Sequence, residues 1–297
     1  MKAQVGPELD GSRLDKAVSS LAGVSRAAAK RIVEAGLAKV GGIPGSARQK
    51  VSEGDVVEFE LIPAEPLLVA EAVEFTVAYE DGAIIVVDKP AGLVVHPGAG
   101  RNAGTLAAGL LHRYPEIEGV GEPGRWGIVH RLDRDTSGLM VVARTGTAHR
   151  SLSAAIRRRE VKRSYQALVL GHTSAPRGTI DAPIGIDPFR PSKRKVVPDG
   201  KASVTHYRVV EQWDAVTLLD VDLDTGRTHQ IRVHLSSIGL PVVGDKAYGR
   251  PGPVASPRIF LHAARLAFRH PLDESEVAFE SPLPDDLAAV LDQLKNV

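Results

Sequence analysis

The sequence predicts an α+β protein with a mixed, mostly antiparallel sheet and a small α/β domain at the N-terminus. Three observations lead to this prediction: strand patterns outnumber helical ones, short turns join many neighbouring strands, and no repeat or low-complexity tract occurs. A chain of 297 residues is long enough for one large and one small domain.

The composition is that of an ordinary globular protein, with 43% hydrophobic and 25% charged residues. The lack of cysteine excludes disulfides, thiolate nucleophiles and zinc–cysteine sites. No apolar run approaches the ~20 residues of a membrane span, and the N-terminal residues lack a signal-peptide core. We therefore expect a soluble, cytoplasmic protein that has no membrane partner.

The charge is segregated along the chain, although the net charge is only +1. Residues 11–50 carry eight basic and two acidic side chains, whereas residues 51–80 carry eight acidic and no basic ones. Residues 125–165 carry ten basic and three acidic side chains. This pattern predicts one basic face and one acidic back, and ordinary solvated surfaces remain the alternative.

The N-terminal region has the pattern of two short helices within residues 12–40, the second ending at Gly36. Ser12 and Ser25 are the predicted caps of these helices. The second helix carries three basic residues that we predict to contact RNA: Arg26, Lys30 and Arg31.

A tight turn at Gly41-Gly42 and residues 51–61 predict small β elements after the helices. Two helices and a hairpin with a basic second helix predict a compact RNA-binding unit over residues 1–62, and a helical cap on the main domain is the alternative. Two prolines and an acidic stretch then predict a linker at residues 63–74.

The main domain, residues 75–297, opens with three predicted elements. They are a hairpin over 75–90, a glycine-rich loop over 91–100 that lacks the ending of a phosphate-binding loop, and a helix over 104–113 capped by Asn102 or Thr105.

Residues 127–143 contain two apolar runs on either side of a polar, charge-rich crest. The runs predict two short strands, and Thr136-Ser137-Gly138 predicts a turn between them. The later elements follow in order: a helix over 148–159, a strand over 162–170, a basic loop over 189–201, strands over 204–210 and 215–223, a helix within 225–235, further β elements over 241–248 and 258–268, and a final helix over 285–295.

The charged crest indicates a chemical centre, because packing alone does not require two aspartates and two arginines beside a buried strand. Candidate residues for this centre are Asp133, Arg131, Tyr165 and Arg232. A buried catalytic carboxylate must be ionised, and a guanidinium is the side chain that best keeps it so. From the residues alone, a buried structural ion pair at Asp133 remains open.

Other chemistries fit the sequence poorly. His229 and His234 are five residues apart, which on a helix places them ~140° apart in direction and predicts no metal site. Ser137 lacks the elbow motif of a serine hydrolase. Asp133 and Asp135 would alternate on a strand and point to opposite faces, so they are a poor glycosidase pair.

The N-terminal motifs resemble the alpha-L RNA-binding domain first described in a small-subunit ribosomal protein. They are Ser12–Asp15, Ser25-Arg26, Gly36–Val40 and Val51–Val56. Motifs throughout the main domain resemble the large-subunit ribosomal RNA pseudouridine synthases of the RluA/RluD type, most closely the RluD branch. They are Val86–Pro97, His130–Leu139, Lys162–Ala167 and Gly226–His234.

This resemblance implies the pseudouridine synthase fold and the isomerisation of uridine in ribosomal RNA without a cofactor or metal. It implies that Asp133 is the catalytic aspartate, Arg131 the base-flipping arginine, Tyr165 the active-site tyrosine and Arg232 the partner of the aspartate. We add His130, Arg227 and His229 as RNA-binding residues and expect a monomer. A non-catalytic ribosome-assembly factor is the rival class, and a nucleotide hydrolase is a more distant one.

Overall fold

The computed structural model describes residues 1–24, 26–61, 68–97 and 103–295. Contacts between Cα atoms divide the chain into two compact units, residues 1–66 and 67–297. Several sequence predictions lie outside the described residues: the Ser25 cap, the Asn102 cap, residue 62 of the predicted N-terminal domain, linker residues 63–67 and the end of the glycine-rich loop, 98–100.

The smaller unit combines two helices with a four-stranded antiparallel sheet of order β1-β4-β2-β3. Its elements are β1 (Lys2–Gln4), α1 (Leu14–Ala22), α2 (Arg26–Glu34), β2 (Ala38–Val40), β3 (Ile43–Pro44) and β4 (Val56–Phe59). Gly41 and Gly42 join β2 to β3 with φ of 58° and 83°, which confirms the predicted tight turn.

The predicted cap of α1 is wrong. Arg13 holds the cap position, and no side chain caps the helix. The backbone of Ser12 is engaged elsewhere, since its N–H donates to Leu9 and its carbonyl accepts from Val51. The helix therefore begins after Ser12 along the chain, at Leu14.

The larger unit is built on a nine-stranded sheet of order β5-β6-β7-β14-β8-β13-β12-β9, with β15 paired to β14. Its strands are β5 (Thr76–Glu80), β6 (Ile84–Lys89), β7 (Ser137–Ala143), β8 (Lys162–Leu170), β9 (Arg177–Asp181), β12 (Val204–Trp213), β13 (Val216–Leu223), β14 (Leu261–Arg269) and β15 (Glu276–Glu280). A separate ribbon pairs β10 (Ile184–Ile186) with β11 (Arg194–Val196).

Within the described part of this sheet only β7 and β14 pair in parallel, so the mixed, mostly antiparallel prediction is confirmed. The helices of the unit are α3 (Leu106–Arg113), α4 (Gly146–Arg157), α5 (Gln230–Ser237) and α6 (Asp285–Lys295). Thr105 caps α3 by accepting a hydrogen bond from the backbone N–H of Ala108 at 3.3 Å.

The central strands are buried on both faces. Along β6, Ile85 and Val87 belong to one apolar cluster, whereas Ile84 and Val86 belong to a second. Successive side chains of a strand point to opposite faces, so a core lies on each side of the sheet. This explains why β6 and β7 are continuous apolar runs and do not alternate.

The structure corrects the predicted geometry around the charged crest. Residues 128–129 form only an isolated bridge and no strand, and the turn lies at Arg134-Asp135. Gly138 belongs to β7 with φ of 112°, and a Cβ there would lie 2.3 Å from the Ala263 carbonyl oxygen. The glycine thus allows β14 to approach closely and does not mark a turn.

The predicted β element at residues 241–248 is also wrong, because it contributes only one bridge, between Val242 and Val169. The described helices include none that is both long and apolar enough to cross a membrane.

Candidate active site

A cavity of about 490 Å³ opens in the larger unit. Its lining comes mainly from three stretches of chain, within residues 128–136, 156–165 and 223–232. These are the loop before β7, the end of α4 with the start of β8, and the loop from β13 into α5. The site is therefore assembled from segments that are far apart in sequence.

Asp133 lies in the wall of this cavity, with its side chain 18% exposed. Its loop is held by a backbone hydrogen bond from Thr136 to the Asp133 carbonyl and by the buried Leu132. Arg232 Nη1 donates to Asp133 Oδ2 at 3.0 Å, across 99 positions of sequence. The permanent charge of this arginine stabilises the carboxylate.

Arg232 itself is fixed by a second carboxylate. Its Nε and Nη2 both donate to Asp245 at 2.8 Å, in a two-pronged ion pair. The Tyr248 ring packs against the guanidinium, with its centroid 5.0 Å from Cζ. Burial opposes the charge of Arg232, but the hydrogen bonds and charges of Asp245 and Asp133 outweigh it and raise the arginine pKa.

Asp245 was not singled out by the sequence. Its side chain is fully buried, and Oδ1 also accepts backbone hydrogen bonds from Ala247 at 2.8 Å and Tyr248 at 3.1 Å. Burial raises its pKa, but the contacts with Arg232 and these N–H groups lower it overall. The glycine before it, Gly244, is a sign in the sequence of a constrained turn. In the structure, a Cβ at Gly244 would lie 2.1 Å from the Arg258 carbonyl oxygen.

Tyr165 lies on β8 and faces the cavity, with only 6% of its surface exposed. Its register places it opposite Val221 on β13 and Ala263 on β14. Burial raises the pKa of the phenol; Arg163 lowers it in part and Asp133 adds to the rise. The phenol is therefore neutral at pH 7.

His229 sits beside the aspartate, at the cap position of α5 in the left-handed conformation (φ 59°). Its Nε2 lies 3.9 Å from Asp133 Oδ1, and its Nδ1 lies 2.7 Å from the Tyr248 hydroxyl. That hydroxyl accepts from the backbone N–H of Arg194, which leaves its own hydrogen for Nδ1. Burial lowers the pKa of His229, so the ring is neutral near pH 7.

His234 points away from this group, bonded to Thr205 and to the Ala182 carbonyl. The two histidines of the motif therefore do not converge on one point. Among the residues that the structure describes, no group of three or more potential metal ligands is found.

The other predicted residues of the crest have different environments. Arg131 is exposed at the cavity, with Nη1 3.4 Å from His96 Nε2. His130 points inward, where Nε2 accepts from the Val141 N–H at 3.1 Å, and burial lowers its pKa to about 3. Arg227 is exposed and donates from Nε to the Ala202 carbonyl.

Asp135 is paired with its neighbour, since Arg134 donates two hydrogen bonds of 2.9 Å to it. These bonds lower the pKa of Asp135. Asp133 precedes the turn and Asp135 lies in it, so neither is on a strand and the predicted alternation of the two side chains is wrong. The two aspartates differ in their hydrogen-bond partners, because Arg232 donates to Asp133 and Arg134 donates to Asp135.

The three basic residues predicted on α2 are exposed in the smaller unit. Arg26 lies 3.8 Å from Asp15, and Lys30 lies 3.4 Å from Glu34. These ion pairs are long and their basic side chains are exposed, so the positive charges of α2 remain accessible to a polyanion.

Residues 83–237 match the RNA pseudouridylate synthase family, and the chain belongs to this family. It is an RNA-modifying isomerase. The ribosomal large subunit pseudouridine synthase D of Nitrosomonas europaea is 44% identical, over 99% of this chain and 87% of that protein. The enzyme of the same name from Pseudomonas aeruginosa is also 44% identical, over 99% and 95%.

A third relative, an uncharacterized RNA pseudouridine synthase of Chloroflexus aurantiacus, is 46% identical over 98% of this chain and 93% of that protein. Among solved structures, human RNA pseudouridylate synthase domain containing 1 superposes with a TM-score of 0.59 at 29% identity, covering 76% of this chain and 95% of that one.

Proposed function

We propose that this protein converts specific uridines of large-subunit ribosomal RNA to pseudouridine, with Asp133 as the catalytic residue. The observation that carries this proposal is the Asp133 carboxylate in a cavity of basic side chains, held by Arg232 at 3.0 Å. The names of the relatives from Nitrosomonas europaea and Pseudomonas aeruginosa support the ribosomal substrate.

The reaction moves one bond within a nucleotide. The C1′–N1 glycosidic bond breaks, the uracil turns, and C5 joins C1′ while its proton passes to N1. Nothing is oxidised or released, so the chemistry requires no cofactor. Asp133 either adds to the ribose or removes the 2′ proton to give a glycal, and both routes need an ionised carboxylate.

Tyr165 and Arg232 support the carboxylate in different ways. Tyr165 packs on the uracil through its ring, because a phenol whose pKa is raised by burial is a poor base at neutral pH. Arg232, itself fixed by Asp245, orients the carboxylate through its hydrogen bond to Asp133 Oδ2.

The target base has to leave the RNA stack before it reaches Asp133. Extrusion costs a few kcal/mol, less in a loop than in a duplex, so a stem-loop is the favoured substrate. Arg131 lines the cavity and is exposed. In the proposed mechanism its side chain fills the gap that the base leaves.

RNA contacts outside the cavity come from the alpha-L-type domain, residues 1–62, connected by the linker 63–74 to the catalytic domain, 75–297. The exposed cations of α2 hold phosphates. Within the catalytic cavity, His130, Arg227 and His229 add to the RNA contacts. The protein acts as a cytoplasmic monomer on ribosomal RNA or its precursor particle.

A direct test uses purified protein and a transcript of large-subunit ribosomal RNA. Wild type forms pseudouridine, and Asp133→Asn lowers the rate by at least ~10³-fold because the carboxylate is the reacting group. Asp135→Asn is the matched control and stays within a few-fold of wild type. Modification by Asp133→Asn at the wild-type rate contradicts the assignment.

The RNA contacts of α2 predict a salt effect. Replacing Arg26, Lys30 and Arg31 together with alanine lowers the slope of log affinity against log salt by about 2 to 3, since each lost phosphate contact removes about 0.7 to 0.9. An unchanged slope in filter binding removes α2 from the interface.

A further inference from the structure

Arg163 is a buried cation in the wall of the catalytic cavity. It lies two residues before Tyr165 on β8, so both side chains leave the strand on the same face. Only 6% of Arg163 is exposed. Neither the sequence motifs nor the proposed mechanism gives this arginine a role.

Its hydrogen-bonding groups are largely unused by the protein. Within the described residues, Nε has no hydrogen-bond partner, and Nη2 reaches only the Leu223 carbonyl at 3.5 Å. No described carboxylate lies within 4.0 Å of its guanidinium. Arg232, whose side chain in the same cavity is 13% exposed, has two carboxylate partners.

A buried guanidinium without a counter-charge is unfavourable in the free protein, because its desolvation is not compensated. Such a group is retained where a ligand supplies the missing charge. Gly226 supports this interpretation, since a Cβ at this position would lie 2.8 Å from Arg163 Nη1. The glycine leaves room for the guanidinium at the cavity wall.

We propose that Arg163 binds one phosphodiester group of the RNA next to the target uridine and so positions the flipped nucleotide over Asp133. A phosphodiester is the only full negative charge that RNA brings, and its two free oxygens match the guanidinium fork. The uracil carbonyls are neutral and compensate the buried charge less well. The proposal rests on the proposed function of the cavity.

The remaining cations that line the cavity are exposed to solvent: Arg125, Arg131, Arg157, Arg159 and Arg227. Exposed cations attract the RNA as a polyanion but do not select one phosphate. Arg163 is distinguished from them by its burial, so its contact is specific to one position of the substrate.

The test combines Arg163→Met with RNA substrates in which one phosphate at a time is replaced by a neutral methylphosphonate. Affinity is measured by fluorescence anisotropy. We expect one replacement next to the target uridine to weaken wild-type binding about 10-fold, which is the effect of losing one charge-assisted pair. The same replacement has no further effect on Arg163→Met, whose affinity is already about 10-fold lower.

Arg159→Met is the matched control, an exposed cation of the same cavity that lies 3.5 Å from Asp224. It lowers affinity without removing the effect of any single methylphosphonate. Arg163→Lys keeps the charge but not the fork, and it recovers part of the affinity. Pseudouridine formation by wild type on the unmodified RNA is scored in parallel, so failure of the proposed function is recognised separately.

Thermal unfolding distinguishes this role from a structural one. Removal of an uncompensated buried charge leaves the melting temperature of Arg163→Met equal to or above that of wild type. A clear fall in melting temperature, or equal methylphosphonate effects in wild type and Arg163→Met at every position, overturns the proposal.

Discussion

Replacing Asp245 with asparagine removes the anchor of Arg232 with little change of volume. Asp245 Oδ2 accepts from Arg232 Nε, while Oδ1 accepts from Arg232 Nη2 and from two backbone N–H groups. An asparagine must direct its NH₂ group at one of these two sets of donors. In either orientation donors face donors, so the two-pronged ion pair cannot form.

The expected magnitude follows from the burial of the pair. Arg232 and Asp245 have side-chain exposures of 13% and 0%, and breaking a buried ion pair costs about 3–5 kcal/mol. Domains of this kind are stable by about 5–15 kcal/mol, and most of that range exceeds the cost of the substitution. We therefore expect the variant to stay folded at 25 °C. Loss of the anchor lets Arg232 and Asp133 move, and a displacement near 1 Å lowers kcat about 100-fold.

The assay is pseudouridine formation under saturating and limiting RNA, together with urea unfolding. We expect a large fall in kcat for Asp245→Asn and a KM within a few-fold of wild type, because Asp245 does not reach the RNA. Asp286→Asn is the matched control: it breaks a similar pair with Arg258, but Asp286 is 42% exposed. That change costs at most about 1 kcal/mol. Equal behaviour of the two variants refutes the reasoning.

Three further outcomes are expected. Tyr165→Phe has the same pH dependence of kcat between pH 7 and 9 as wild type, because the raised pKa keeps the phenol neutral; a basic limb present only in wild type contradicts this. His130 binds its proton in the unfolded chain but not in the folded one until the pH nears 3, so stability falls by roughly 2 kcal/mol from pH 7 to 5. In urea unfolding, His130→Asn loses less stability than wild type between pH 7 and pH 5. An equal loss in the two proteins contradicts the role of His130. We expect Gly138→Ala to lower the free energy of unfolding by more than about 2 kcal/mol, because its Cβ meets the Ala263 carbonyl. Gly82→Ala does not lower it in this way, because a Cβ at Gly82 meets no atom within 4 Å. Similar unfolding of the two variants contradicts the predicted contact at Gly138.

Regular elements with uninterrupted patterns were predicted well. The strand over 162–170 and the final helix over 285–295 have the predicted bounds, because each is a continuous local pattern. The crest at 128–138 was misread, because the close approach of β14 that requires Gly138 is a contact across 125 positions. Local pattern carries no information about such an approach.

The residues of the site also fall into those that local motifs indicated and those that only the fold reveals. The motif resemblance pointed to Asp133 and Arg232, a pairing that spacing alone does not indicate. Asp245 was missed because its contact with Arg232 depends on how α5 packs against the following loop. The polar atoms of Arg163 were equally out of reach, since an unsatisfied buried donor is visible only once the fold is built.

We propose that the isomerisation of uridines in large-subunit ribosomal RNA depends on Asp133. Sequencing of pseudouridine in that RNA, from cells that lack this protein and from the same cells complemented with wild type or Asp133→Asn, tests it most directly. We predict that one or a few positions lose pseudouridine in the deletion, regain it with wild type and remain uridine with Asp133→Asn. An unchanged map in the deletion, or full recovery with Asp133→Asn, contradicts the claim.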